Sequence, residues 1–174
     1  ILIVLHVISW MIFVGLCIET CGIIFNTIYA MNKPTIAAHF WNGADLSALY
    51  NFDKGHFLVQ TGLISIASIM KALIFYLIIK MFYNKKLSVA KPFDPKVVSI
   101  IFLIAYLCLG AGIFSIWGVN YSNWLKGQNI PIPDADFLRI GGGDVWLFMA
   151  VVLAVIGQVF KKGTALQTEN DLTV

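Results

Sequence analysis

Four long apolar runs constrain this chain more than any other feature of its sequence. They cover residues 1–31, 57–83, 97–119 and 145–160. The hydrocarbon core of a bilayer is about 30 Å thick, and roughly 17–25 apolar residues in a helix cross it. Three runs reach that length comfortably. The fourth only just reaches it, because it begins behind Asp144.

The runs predict an all-α fold: a membrane-spanning four-helix bundle that forms one integral membrane domain over residues 1–174. We expect helices at about 1–31, 57–83, 97–119 and 144–162, followed by a tail at 163–174. Composition favours the same class, since 59% of the residues are hydrophobic and only 12% are charged. A soluble domain carries about twice that charged fraction.

The first run is too long for the apolar region of a cleavable signal peptide, and Glu19 interrupts it. We therefore interpret it as a retained helix. Because the sequence starts at Ile1 and not at methionine, we expect a short segment before it. The net charge of +3 is too small to indicate nucleic-acid binding.

The distribution of lysines predicts the orientation in the membrane. Four lysines lie in the short connection between the second and third runs: Lys85, Lys86, Lys91 and Lys96. Two more, Lys161 and Lys162, follow the fourth run. Basic residues in short loops stay on the cytoplasmic side. We therefore expect both termini in the cytoplasm and two longer extracytoplasmic loops.

Two charged residues lie inside the apolar runs, Glu19 in the first and Lys71 near the middle of the second. Each costs about 2.5–3.5 kcal/mol at the bilayer centre on insertion scales. One hypothesis is an intramembrane pair between them, across a depth difference of roughly 10 Å at 1.5 Å per residue. The alternative is that Lys71 extends to the cytoplasmic headgroups, while Glu19 is protonated or hydrogen-bonded to a neighbour.

Small and weakly polar residues recur at helical spacing along one face of each of the first three helices. They include Gly15, Gly22 and Asn26 in the first helix, Ser65 and Ser68 in the second, and Ser115 in the third. Membrane helices approach one another closely along such faces. The faces are therefore predicted packing seams, and a solute pathway is the alternative.

Aromatic residues mark the two longer loops. Trp41, Tyr50 and Trp124 fall in or beside them, and such rings favour the headgroup layer. We expect these three to form an outer contact surface. Residues 45–50 are predicted to form a short helix with Asp45 as its N-cap.

Four loop side chains are candidate metal ligands: His39, Asp45, Asp53 and His56. Their spacing matches no known zinc pattern, so a surface role is the leading interpretation and we expect no metal. No arrangement of serine, cysteine, histidine or paired carboxylates has the density that a membrane hydrolase needs. We therefore expect neither enzymatic activity nor a cofactor.

The last fifteen residues, 160–174, read FKKGTALQTENDLTV. This segment resembles the ending of a bacterial multi-pass membrane family catalogued as domain of unknown function 2975: a basic residue and glycine, then Glu, then Asp-Leu-Thr-Ile/Val. The turn at 91–93 is similar to the family's connector, and residues 15–19 look like versions from Bacteroidetes. The resemblance implies the bacterial cytoplasmic (inner) membrane. It also implies a helix-turn-helix regulator as a cytosolic partner, because such regulators are often encoded nearby.

These observations favour a non-enzymatic membrane sensor or regulatory protein that relays to a cytosolic partner. Its expected cytoplasmic contacts are Lys85, Lys86, Lys91, Glu169 and Asp171, and a solvated, frayed tail is the alternative. One rival hypothesis is an immunity-type protein that binds a partner through its outer loops. Another is a small transporter or channel that uses the two intramembrane charges. The bilayer is an expected partner, and a second copy of the chain is an open alternative.

Overall fold

The computed structural model describes residues 2–83 and 94–172, with the side chains of residues 2–82 and 94–169, and this part of the chain is almost entirely helical. Its helices are α1 (Leu2–Asn32), α2 (Ser47–Phe52), α3 (Lys54–Tyr83), α4 (Pro95–Gly127) and α5 (Gly143–Leu172). Two 3₁₀ turns, Pro34–His39 and Trp41–Gly43, precede α2. Within these described ranges no strand occurs, and α1, α3, α4 and α5 are long and apolar enough to cross a membrane. The predicted all-α fold with four spans is confirmed.

Several helices end later than their apolar runs. The third predicted helix continues past residue 119 to Gly127, and the fourth continues as one helix to Leu172. Hydropathy reports contact with lipid, whereas a helix ends where its backbone is capped. At the end of α4 the Asn129 backbone has a left-handed φ of 60°, and the Ile130 amide donates to the Leu125 carbonyl at 3.3 Å. This is a Schellman arrangement, which satisfies the last carbonyls of the helix.

The long helices pack in chain order, α1 on α3, α3 on α4, and α4 on α5. In the part of the chain that the structure describes, the backbone of α1 approaches neither α4 nor α5. A gap therefore separates α1 from α5, and helix packing does not close it. Large apolar side chains such as Ile3, Tyr106 and Phe148 point outward on these helices, as expected where lipid replaces water as the solvent.

The α4–α5 contact is a glycine crossing. A Cβ added to Gly112 would lie 2.9 Å from the Gly143 carbonyl, and one added to Gly143 would lie 3.0 Å from the Gly112 carbonyl. Gly112 precedes the end of α4 by 15 residues, which is about 23 Å at 1.5 Å per residue. Helix α5 thus begins roughly halfway along α4, and residues 128–142 run back along that helix to reach it.

Residues 33–53 and 128–142, here called the loop cap, lie at the same end of the long helices. Leu46 and Leu49 from the first segment are fully buried with Ile140 from the second. The Lys126 ammonium lies 2.6 Å from the Asp134 carboxylate and joins the second segment to the end of α4. That hydrogen bond, with the charge of Lys126, holds the pKa of Asp134 below its ordinary value. The loop cap is therefore a packed part of the fold.

Candidate functional site

An ion pair joins α1 to the loop cap across the gap between α1 and α5. The guanidinium of Arg139 lies 3.4 Å from the carboxylate of Glu19. The Glu19 side chain is 12% exposed, whereas that of Arg139 is 61% exposed. A carboxylate so nearly enclosed needs a partner, and the loop cap supplies it.

Lys71 of α3 contacts the same arginine from the other side. Its ammonium donates a hydrogen bond to the Arg139 backbone carbonyl at 3.1 Å. It also lies 5.8 Å from the ring centroid of Trp146, in the first turns of α5, within cation–π range. The Arg139 side chain therefore contacts α1, and its backbone carbonyl contacts Lys71 of α3. Lys71 in turn contacts Trp146 of α5.

The backbone at Arg139 is in a conformation that favours glycine. Its φ is 53°, in the left-handed region, which costs a side-chain-bearing residue roughly 1–2 kcal/mol. Its amide donates to the Asp136 carbonyl and the Ile140 amide donates to the Ala135 carbonyl, both at 3.0 Å. These two bonds form a second Schellman arrangement at the end of a single helical turn. The buried side chains of Leu138 and Ile140 anchor the arginine from both flanks.

The ion pair borders a cavity of about 340 Å³. Its wall consists of Ile12, Gly15, Leu16, Glu19, Trp41, Asn42 and Arg139. The Trp41 ring is seated on α1, because a Cβ on Gly22 would collide with it. The cavity therefore has a charged end beneath the loop cap and an apolar end along α1.

Comparison with known proteins places this site within a family. The model of the family DUF2975, described as protein of unknown function, matches residues 41–174. The chain belongs to the DUF2975 family. The match confirms the resemblance seen in the C-terminal segment. It includes Lys71 and Arg139 and begins after Glu19, so the DUF2975 region supplies both cations of the site.

The other comparisons add no relative. A search of curated proteins and a search of solved structures each found no match.

The hypothesis of a direct pair between Glu19 and Lys71 is wrong as a contact, because Arg139 is the cation that reaches Glu19. The alternative for Lys71 also fails, since its ammonium turns to the start of α5 and bonds to Arg139. Sequence reasoning missed Arg139 because its contact with Glu19 depends on where α5 begins. A signal that could have indicated it is the run of glycines at 141–143, in which Gly143 packs directly against Gly112 of α4.

The small and weakly polar residues lie at several kinds of position. Ser68 and Ser115 are buried between helices, and Ser65 bonds to the Thr61 carbonyl of its own helix at 2.7 Å. Gly15 lines the cavity and Gly22 lies under Trp41. Asn26 is half-buried on α1.

The three aromatic residues of the predicted outer contact surface have different surroundings. Trp124 is 48% exposed and stacks with Tyr121, and Trp41 is half-buried against α1. Tyr50 is only 5% exposed, with its ring edge-on to Phe57. The prediction that Tyr50 presents a contact surface is therefore wrong, because the first loop folds inward and buries it.

The four candidate metal ligands do not gather at one site. Within residues 2–83 and 94–172, no group of three or more His, Cys, Asp or Glu side chains could hold an ion. Asp53 accepts from the His56 amide at 2.9 Å and so caps α3, while His56 Nδ1 is hydrogen-bonded to the Tyr121 hydroxyl. His39 is exposed on the loop cap.

Asp45 has a structural role next to the short helix. It accepts from the hydroxyl and the amide of Ser47, and these bonds hold its pKa below the ordinary value. The prediction that Asp45 is the N-cap of this helix is wrong by one residue, because α2 begins at Ser47 and Leu46 occupies the N-cap position.

The expected cytoplasmic contacts lie partly outside the described residues. Lys85, Lys86 and Lys91 fall in the undescribed segment 84–93, and the side chain of Asp171 is also not described. Glu169 lies on the exposed side of α5.

Proposed function

We propose that this DUF2975 protein is a non-enzymatic sensor of the bacterial inner membrane, with both termini in the cytoplasm. It receives a signal at the site formed by Glu19, Arg139 and Lys71, and relays it to a cytosolic regulator. The observation that carries the proposal is the continuity of α5. One unbroken helix runs from Gly143, beside the site, to Leu172.

The length of α5 supports a relay across the membrane. Its 30 residues extend about 45 Å, which exceeds the bilayer core of about 30 Å. Its apolar part ends at Lys161 and Lys162, whose side chains are exposed. The last ten residues then project about 15 Å beyond the bilayer core. A helix is stiff along its axis, so a displacement at its start moves its end.

The contacts of Lys71 connect the site to the start of α5. Lys71 touches the backbone of Arg139, four residues before α5, and the ring of Trp146 within its first turns. A signal that breaks either contact acts directly on the start of α5. At the other end, Glu169 and Asp171 make the helix tip acidic. Such a tip is complementary to a basic surface, as carried by a helix-turn-helix regulator.

Site-specific photo-cross-linking in cells tests the relay. A cross-linker at Leu166, which is 64% exposed, should capture a soluble protein, and the charge reversal Glu169→Lys should abolish that product. The matched control is Phe148, which is 66% exposed earlier on the same helix and should yield no soluble adduct. A Leu166 product that survives both Glu169→Lys and Asp171→Lys would contradict the proposal.

A small transporter is the second candidate, favoured by the opposite charges of Glu19 and Arg139, which border the same cavity beneath the loop cap. Ionisable residues that face a cavity among membrane helices commonly mark solute or ion pathways. Solute or proton flux in liposomes that disappears in Glu19→Gln would select this candidate, and equal flux in both proteins would reject it.

A further inference from the structure

The cavity between Glu19 and Arg139 carries two opposite charges at one end. The guanidinium of Arg139 has five N–H donors, and its side-chain contact within the described residues is the single 3.4 Å approach to Glu19. Most of its donors therefore remain available to a bound oxyanion. The carboxylate of Glu19 faces the same cavity and can accept hydrogen bonds from a cation.

The position of the cavity relates it to the bilayer surface. The apolar part of α5 lies between Asp144 and Lys161, which are 17 residues and about 26 Å apart. This length matches the hydrocarbon core, so on the α5 side the polar boundary of the bilayer falls near Asp144. Trp146 lies at the same level, where indole rings favour the interface. Arg139, five residues before Asp144, is thus at headgroup depth.

The apolar end of the cavity continues along α1. Leu16 and Ile12 line it one turn and two turns below Glu19, toward the exposed apolar side chains of Ile8 and Met11. The gap between α1 and α5 leaves this direction unobstructed by a neighbouring helix. An amphipathic ligand with a charged head and an apolar chain fits such a lining better than a wholly polar one.

We propose that this cavity binds an aminophospholipid, whose headgroup joins a phosphate to a primary ammonium. The phosphate oxygens pair with the Arg139 guanidinium in the two-bond geometry that this group favours. The ammonium donates to Glu19, and an acyl chain lies along Ile12 and Leu16. Lys71 holds the Arg139 carbonyl and adds a second positive charge behind the phosphate.

The proposal goes beyond the sensor function, because lipid binding is measured on purified protein and needs no cytosolic partner. Delipidated protein in detergent is titrated with short-chain phosphatidylethanolamine, phosphatidylcholine and soluble phosphoethanolamine, and binding is read by native mass spectrometry. Phosphatidylethanolamine should bind about tenfold more tightly than phosphatidylcholine, because a quaternary ammonium cannot donate a hydrogen bond to Glu19. Soluble phosphoethanolamine should bind far more weakly, because it lacks the acyl chain.

Two variants test the two halves of the headgroup site. Arg139→Gly suits the left-handed backbone, so it should fold normally while losing affinity for both lipids. Glu19→Gln should equalise the affinities for the two lipids. Lys126 does not line the cavity, so Lys126→Gln is the control and should leave binding unchanged.

Three results would overturn the proposal. The first is wild-type lipid affinity in a well-folded Arg139→Gly protein. The second is equal binding of the two lipids by the wild-type protein. The third is soluble phosphoethanolamine binding as tightly as the lipid, which would assign the site to a free phosphate ester. Because none of these measurements involves the C-terminal helix, they leave the relay to be judged separately by cross-linking.

Discussion

The guanidinium of Arg139 lies 3.4 Å from the Glu19 carboxylate, although 120 residues separate them in the sequence. The contact exists because α5 starts halfway along α4, so that the preceding loop must descend to that level. The contact requires an unfavourable backbone conformation, since Arg139 adopts a left-handed φ of 53°. Strain at a charged residue that borders a cavity is typical of functional sites.

The strain at Arg139 predicts an unusual order of stabilities. Arg139→Gly and Arg139→Ala remove the same ion pair, but only glycine occupies the left-handed region without a steric cost. The glycine variant should therefore be more stable than the alanine variant by about 1 kcal/mol. Chemical unfolding in detergent micelles measures the difference. Equal stabilities, or a more stable alanine variant, would show that this backbone conformation is not adopted.

The ion pair predicts a modest coupling energy. In a double-mutant cycle with Glu19→Gln and Arg139→Gln, the two effects on the free energy of unfolding should be coupled by about 0.5–1 kcal/mol. The value is small because the arginine side chain is 61% exposed. A cycle of Glu19→Gln with Lys126→Gln is the control and should be additive. Additivity in the first cycle would mean that Glu19 has another partner.

The glycine crossing predicts a large effect from a single methyl group. In Gly112→Ala the new Cβ would meet the backbone carbonyl of Gly143, which cannot rotate away as a side chain can. We expect a loss of about 1–3 kcal/mol in the free energy of unfolding, as for overpacked cores. Gly62→Ala on α3 is the control, because no neighbouring atom lies within 4 Å of its added Cβ. There the substitution should be neutral or stabilising by up to about 1 kcal/mol.

A buried polar contact beneath the loop cap gives a further prediction. The Gln60 amide nitrogen donates to the Ser122 hydroxyl at 2.8 Å, and the two residues are 0% and 1% exposed. Ser122→Ala leaves the Gln60 donor buried without this acceptor, which should cost about 1–3 kcal/mol. Ser99→Ala serves as the control, because Ser99 is exposed and its hydroxyl donates to the Pro95 carbonyl within its own helix turn. Similar thermal stabilities for the two variants would argue against the buried contact.

The four spans could be predicted because three apolar runs are long enough to cross a bilayer and the fourth nearly reaches that length, a property that needs no knowledge of tertiary contacts. The ends of α4 and α5 could not, because the polar residues that follow the apolar runs are also compatible with a helix. Tyr50 illustrates another limit. The sequence around an aromatic loop residue does not distinguish a ring that faces the lipid headgroups from one that is buried in the protein core.

The candidate site was only half predictable. Glu19 and Lys71 were recognisable because charges inside apolar runs are costly and conspicuous. Arg139 was not, since its contact depends on where α5 begins. That point is set by the packing of Gly143 on Gly112, which lies 31 positions earlier in the chain. The depth at which a loop residue lies is a tertiary property, and hydropathy along the chain does not contain it.

The central claim is that the loop cap and the end of α5 lie on opposite sides of one membrane. Single cysteines at Phe137, which is 52% exposed on the loop cap, and at Leu166, in a protein whose native cysteines are replaced, test it most directly with a membrane-impermeant maleimide. In intact spheroplasts Phe137→Cys should react at once, whereas Leu166→Cys should react only after permeabilisation. Reaction of both cysteines from the same side would contradict the account, because no signal received beneath the loop cap would then cross the bilayer through α5.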